Sequence, residues 1–331
     1  MAKEKISQRG PTLISSKRNT SAASKKPVGI RKKPSTKFGR KIVRIEVGAF
    51  GEEPTEFTVH EDLLCLASPY FRAALQPKRR ALEEDPDAEC GICQDPLEPG
   101  VNDLTHCAAT CGKNFHYDCI QAWKANKPGQ GALTCPNCRQ GWVAESNKIK
   151  TRAFHELDKV GYSIYQEWLY RGHVCIPDDV PEDESHNVNS SYGSLIKAYL
   201  VGVRVKDAKF ATAVVETFLD VIKESGIYPG PGYIQYAYDR ASPTSILRRF
   251  LIQIYLKFGH AEWFDESDPR FHRFPAEFMS NLVQEIFTHG FECNKDWDVE
   301  ELKKELCQVG KDCTGELEEP EELSDIDEEY L

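Results

Sequence analysis

The sequence has no run of 18 or more apolar residues, so no segment is long enough to cross a membrane as a helix. Its opening, MAKEKISQRGPTLISSKRN, lacks the apolar centre of a secretory signal, so the expected setting is intracellular, nucleus or cytoplasm. The sequons at Asn19 and Asn189 are then chance matches. Residues 1–41 almost lack acid: thirteen Lys and Arg stand against Glu4 alone, a charge of +12. Residues 314–331 lack base altogether, and nine Asp and Glu give them −9. Such one-sign blocks bury too little apolar surface to order themselves, and they read as a disordered basic arm and a disordered acidic tail. RKKPSTKFGRK in the arm is a candidate nuclear localisation signal or weak nucleic-acid patch, against the bland alternative of a soluble arm. No repeat at a fixed period is present.

What the chain does hold is cysteine. Twelve in a chain without an export signal argue for metal ligation rather than disulfides. Seven of them fall within residues 90–138. In order, the candidates are Cys90-x2-Cys93, Cys107-x3-Cys111, His116-x2-Cys119 and Cys135-x2-Cys138. A C-x2-C turn offers two sulfurs from one tight loop to a single ion, and a structural zinc takes four such ligands tetrahedrally. Eight ligands in four close pairs therefore predict two zinc ions. His106 rivals Cys107, but the softer thiolate and its spacing to Cys111 favour Cys107. The alternative, a set of buried free thiols, is disfavoured because paired thiols at this density rarely cluster without metal. Structural zinc contributes about 10–16 kcal/mol per site at neutral pH. A segment of about 50 residues needs it, because it cannot bury enough apolar surface to stand alone. Ile92, Leu97, Leu104, Phe115, Ile120, Trp123 and Leu133 are its few large apolar residues. Cys65, Cys175, Cys293, Cys307 and Cys313 have no ligand spacing and are expected to be reduced thiols.

CGIC, NFHYDCIQAW and CPNCR, across residues 88–143, resemble a RING finger. The resemblance implies a cross-brace in which Cys90, Cys93, His116 and Cys119 hold one zinc and Cys107, Cys111, Cys135 and Cys138 hold the other. The histidine stands fifth among the ligands, an order also found in RING-CH and PHD-like fingers. A PHD finger places an aromatic residue just before the last pair, where this chain has Leu133. That residue, Trp123 four positions after Cys119, and the proline of CPNC with Arg139 behind it all favour RING. RING fingers act as ubiquitin ligases without a covalent intermediate: they hold a ubiquitin-conjugating enzyme charged with ubiquitin and orient its thioester. On this resemblance Ile92, Trp123 and Pro136 form the shallow apolar dock for the conjugating enzyme, and Arg139 positions ubiquitin. The bland alternatives are Trp123 as core and Arg139 as an ordinary surface cation.

Around the finger the pattern is that of an α+β domain. Val43, Ile45 and Val47 alternate with Arg44 and Glu46, the period of a strand, and EFTVH reads as a second. HEDLLCLASPYFRAALQ is helical, with Pro69 opening a second short helix capped by Ser68. Beyond the finger, FHELDKVGYSIYQEWLYRG is helical, and SLIKAYLVGVRVKDAKFATAVVETFLDVIKESG reads as two helices stopped at Gly226. YPGPG is a turn before a helix capped by Thr244 or Ser245, and PAEFMSNLVQEIFTHG and DVEELKKELCQVG are two more helices. Phe210, Phe218, Phe250 and Tyr255 lie at helical spacing and are expected in the core rather than at an interface.

VRIEVG, EFTVHEDLLCLASPYFRAAL, YQEWLYRG, LIKAYLVGVRVKDAKFATAVVETFLD and YAYDRASPTSILRRFLIQIY resemble a BTB (POZ) domain, in the form common in fungi. The resemblance covers 42–82 and 150–258. It implies a small sheet flanked by helices, interrupted by the RING finger at 88–143 and followed by a helical extension at 259–313. Insertions succeed at exposed loops. The first part cannot fold alone, because Leu63, Leu64 and Phe71 need cover from helices beyond the finger. The BTB resemblance further implies a homodimer, or binding of a cullin or a substrate protein. No membrane partner is expected, and nucleic acid is not the expected partner. Two functions stand on the sequence: a BTB–RING ubiquitin ligase, or a non-catalytic scaffold in which zinc only stabilises an elaborated loop. A chromatin reader is a third, and Trp123 and CPNC count against it.

Overall fold

The computed structural model describes residues 38–48, 51, 53–82, 89–126, 133–143, 149–176, 188–265, 267 and 274–289. The expected alternation is present at once. β1 (Ile42–Val47) buries Val43, Ile45 and Val47 and leaves Arg44 and Glu46 half-exposed on its other face. β2 (Thr55–His60) pairs with it antiparallel, Val43 opposite Val59. α1 (Glu61–Ala67) and α2 (Pro69–Leu75) come next, and Ser68 explains the break between them. Its hydroxyl accepts from the Phe71 N–H at 3.1 Å and donates to the Val205 carbonyl, while Pro69 supplies the first helical residue.

The chain then enters the finger through β3 (Leu104–His106) and β4 (Asn114–His116), an antiparallel pair, and α3 (Tyr117–Ala125). β5 (Lys150–Phe154) returns it to the first sheet, pairing parallel with β1 in the order β2-β1-β5. This strand has no pattern to betray it, since Phe154 is the one buried residue of KTRAF. The helical pattern expected from Phe154 starts instead at Lys159. There Asp158 caps α4 (Lys159–Arg171) by accepting from the Gly161 N–H at 2.9 Å, and Gly172 stops it in the left-handed conformation. α5 (Val188–Arg204) and α6 (Ala208–Ser225) are the expected pair, the second stopped at Gly226. The single helix expected after YPGPG is two, α7 (Pro231–Tyr238) and α8 (Ile246–Phe258), and Ser245 rather than Thr244 caps the latter. α9 (Ala276–His289) completes the described elements. The basic arm up to residue 37, DVEELKKELCQVG, the acidic tail and Cys293, Cys307 and Cys313 lie outside the described residues.

One apolar core unites the two sides of the finger. It runs from Val43, Leu64 and Phe71 before it to Phe154, Tyr162, Tyr165 and the later helices after it. Phe71 sits among Phe154, Tyr162 and Tyr165, with ring centroids at 5.0, 6.1 and 6.4 Å. The first part thus takes its cover from beyond the finger, although Leu63 remains half-buried. Phe210, Phe218, Phe250 and Tyr255 are buried core, as their spacing suggested. The finger has a separate, small core of Leu97, Phe115 and Ile120 among Cys90, Cys107 and Cys135. No described helix is long and apolar enough to cross a membrane.

Candidate metal centre

Three of the four ligand pairs sit on turns of one plan. In the first, the Gln94 N–H donates to the Cys90 carbonyl at 2.8 Å, and the Cys90 N–H to that of Asp95 at 2.9 Å. In the last, the Arg139 N–H donates to the Cys135 carbonyl at 3.0 Å, and the Cys135 N–H to that of Gln140 at 2.8 Å. Gln94 and Arg139 both take positive φ, 65° and 63°, so each turn closes through a left-handed residue. The x3 pair closes the same way through Gly112, whose N–H donates to the Cys107 carbonyl at 3.1 Å. The fourth pair differs: His116 ends β4 and immediately precedes α3 without a side-chain capping bond, and Cys119 lies in the first turn of that helix.

The turns bring the eight ligands into two groups. Cys90, Cys93, His116 and Cys119 form one, and Cys107, Cys111, Cys135 and Cys138 the other, with the donor atoms of each group within 4.8 Å of one another. In the second group Cys107 Sγ lies 3.9 Å from Cys138 Sγ, and Cys111 Sγ 3.7 Å from Cys135 Sγ. These are far too long for disulfides. They match the edge of about 3.8 Å that a tetrahedron with Zn–S arms of about 2.3 Å requires. In the first group His116 Nδ1 lies 3.3 Å from Cys93 Sγ and 3.9 Å from Cys119 Sγ. Its Nε2 is 3.1 Å from the Pro96 carbonyl, so Nε2 carries the hydrogen and the Nδ1 lone pair is left for a metal. Burial and the neighbouring thiol of Cys93 push the Cys119 thiol up to about 12, and burial does the same to Cys135. Against its burial, hydrogen bonds from the backbone of Thr110 and Cys111 push Cys107 down to about 6. A cation among such crowded thiols favours the thiolate form of every member, and the donor set fits two zinc ions. The first and third pairs share one site and the second and fourth the other, which is a cross-brace.

Residues 88–139 match the family model for the Ring finger domain. They form a RING-type zinc finger. No curated protein and no solved structure gives a significant match to the chain.

His106 joins neither group of candidate ligands, whereas Cys107 joins the second. Its ring faces a cationic surrounding. Burial, then Arg79 and Lys41, push its imidazole down to about 4. Of the residues expected at the dock, Ile92 is half-buried against the RING core. Pro136 is half-exposed on the last turn, and Arg139 is exposed on its left-handed backbone. Trp123 is half-exposed and stands outside the core cluster, and its indole N–H donates to the Thr134 carbonyl at 3.2 Å. The tryptophan that packs the core is Trp142, which no motif in the sequence singled out. Its ring meets that of Phe115 edge-on at 6.0 Å, and its backbone N–H donates to the Leu133 carbonyl at 2.6 Å. An aromatic residue shortly after the final ligand was the available signal.

The RING is fastened to the helix pair by a polar weld. Arg79, 6% exposed, pairs with Asp62 of α1 and donates from Nε to Asn114 Oδ1 of β4 at 2.7 Å. Asn114 Nδ2 donates to the Arg80 carbonyl at 2.9 Å, and Arg80 Nε to the Cys111 carbonyl at 2.9 Å. Gln76 braces the acidic side, donating to Glu61 at 2.8 Å and Asp62 at 3.1 Å. Gly112 is required here, because a Cβ on it would fall 1.9 Å from the Lys78 carbonyl. Cys111 is itself a ligand and Asn114 stands two residues before His116, so each metal site is close to the weld.

Proposed function

We propose that the RING is the working part of a ubiquitin ligase: it docks a ubiquitin-conjugating enzyme charged with ubiquitin and orients the thioester for attack by an acceptor amine. Trp123 carries this reading. It is a large side chain, half-exposed and not among the residues packed into the RING core, so part of its apolar surface is open to a partner. Its bond to Thr134 ties it to the turn that carries Pro136, which supports a dock shared by the two, with Ile92 on the first turn. A few such anchors supply most of the energy of a small interface. The finger contributes proximity and orientation rather than acid–base chemistry. Arg139 suits the positioning of ubiquitin, since its guanidinium carries five donors and its backbone is fixed by the turn. The zinc ions are structural, each held by four protein ligands with no position left open. The setting for this chemistry is the nucleus or cytoplasm.

The helical body is read as BTB-like. A hairpin, a helix pair and a strand returning parallel to β1 support that reading, and the resemblance supplies the rest. Its role would be self-association, or the holding of a cullin or a substrate. A dimer would bring two RINGs to one target and raise their effective concentration. Sedimentation at twice the chain mass is the expected result.

The test is reconstitution with activating enzyme, ubiquitin and a panel of conjugating enzymes. The full chain should ubiquitinate itself with some of them, and Ile92→Ala and Trp123→Ala should each slow this by about tenfold or more. Zinc should stay at two per chain in both. Arg139→Ala should slow transfer while conjugating-enzyme binding persists. If no member of the panel builds chains, the ligase reading falls and a non-catalytic scaffold stands in its place.

A further inference from the structure

A cleft of about 490 Å³ opens between the start of α4, one face of α5 and the end of α7, and nothing in the proposed function uses it. Four cations line it, Lys159, Lys197, Arg204 and Arg240, against two acids, Glu156 and Asp158. Both acids are engaged locally. Asp158 caps α4, and Glu156 accepts from the Tyr70 hydroxyl. Lys197 stands 3.8 Å from Asp158, a loose ion pair. Arg240 lies over the Tyr236 ring at 4.0 Å from its centroid. Among the described residues the buried Nε of Arg204 has no hydrogen-bond partner, a costly state for a charged donor. Neither arginine has an ion pair among the described residues. This is a cationic cleft on a chain whose net charge is −10.

The spacing of the cations indicates the ligand. Lys197 and Arg204 are seven residues apart on α5, about 10 Å along the helix axis. A small dianion would meet one end of that line. An extended peptide rises about 3.3 Å per residue and points every second side chain the same way, so acids at alternate positions reach both ends. The sequence holds such a segment in SDIDEE, where Asp325, Asp327 and Glu329 alternate within a stretch that has no base. From the end of α9 to Asp325 is 36 residues. That length of chain can extend about 100 Å, so reach is no obstacle.

We propose that the cleft is an acidic-peptide site and that its occupant is the chain's own C-terminal segment around Asp325–Glu329. Each contact is a partly exposed ion pair and weak alone. Tethering raises the local concentration of the segment to about millimolar, which lets several weak pairs hold it. A seated tail also excludes acidic segments of other proteins until it is displaced.

Carbodiimide cross-linking of the full chain, read by mass spectrometry, tests this, because the reagent joins a carboxylate only to an amine in contact with it. Mixing isotopically light and heavy chains separates links within a chain from links between chains. The expected products join Lys159 and Lys197 to carboxylates of residues 325–329 within one chain, and they fade at high salt. Arg204→Gln and Arg240→Gln should each lower their yield by about three- to fivefold, the weight of one exposed pair. Arg240 is exposed, so its variant keeps the test alive if Arg204→Gln misfolds. Links from the tail to lysines of the arm alone would overturn the proposal. So would light–heavy links alone, or cleft links unchanged in Arg240→Gln.

Discussion

The helical body and the RING solve one problem with different materials. The body packs aromatic rings edge to face, Phe71 against Phe154 and Tyr165 against Phe210 at about 5 Å, in a core that draws on both sides of the chain. The RING encloses three large buried apolar side chains, Leu97, Phe115 and Ile120, and arranges two four-ligand clusters around them. Apolar burial is non-directional and tolerates adjustment. Ligand geometry is directional, so the RING spends its backbone on closed turns and left-handed residues that aim sulfur at one point. The body should therefore answer to cavities, and the RING to metal.

Removal of zinc is the strongest way to separate the two. Two sites at about 10–16 kcal/mol each exceed any other single contribution to the RING. A chelator should make amides across residues 90–138 exchange freely. Strands β1 and β5 and helix α4 should stay protected, because an unfolded finger is only a long loop and each doubling of loop length costs about 0.6 kcal/mol. Hydrogen exchange read by mass spectrometry checks this. Simultaneous loss of protection in β1 would show that the two regions share one fate.

The converse change is Phe71→Ala. The side chain is fully buried among the rings of Tyr70, Phe154, Tyr162 and Tyr165, so its removal should cost the body about 3–5 kcal/mol. Zinc content under native conditions should remain at two per chain. Denaturant unfolding and metal analysis of one sample read both.

The contrast also governs what the sequence could reveal. Ligand spacing is local, so the eight candidate ligands could be read from the chain, and the structure gathers Cys107 rather than His106 with Cys111, Cys135 and Cys138. β1 showed its alternation because one face is core and the other is not. β5 was hidden, because its neighbour β1 is far away in sequence and one residue of five is buried. α7 was hidden too, because YIQYAY shares the apolar pattern of α8 and the break between them at Asp239–Ser245 is short. The weld could not be read at all. Nothing near Arg79 announces that Asn114, 35 residues on, will accept from it.

That weld joins the two regions, and Arg79→Ala should break it. The side chain is nearly closed to solvent, and its loss leaves Asp62 as a mostly buried carboxylate with less compensation. Removing one partner of a buried pair costs about 3–5 kcal/mol, and Gln76 should hold the loss near the lower end. Zinc should be retained, but the orientation of the RING on the body should loosen. The readout is a wider distance distribution between spin labels on α3 and α5. An unchanged distribution would mean that the backbone contact at Gly112 suffices.

The finest contrast lies between two tryptophans inside the RING. Trp142 packs on Phe115, so Trp142→Ala should destabilise the finger by about 3 kcal/mol and weaken zinc retention against a chelator. Trp123 is not part of that core and its indole N–H donates to the Thr134 carbonyl, so Trp123→Ala should cost less than Trp142→Ala, about 1 kcal/mol. Rates of zinc loss to a chromogenic chelator order the two variants. Equal rates would return Trp123 to the core and remove the reason to regard it as a docking surface. A clear separation, with Trp123→Ala close to the parent chain, leaves a half-exposed aromatic side chain that the folded RING does not need for its own stability.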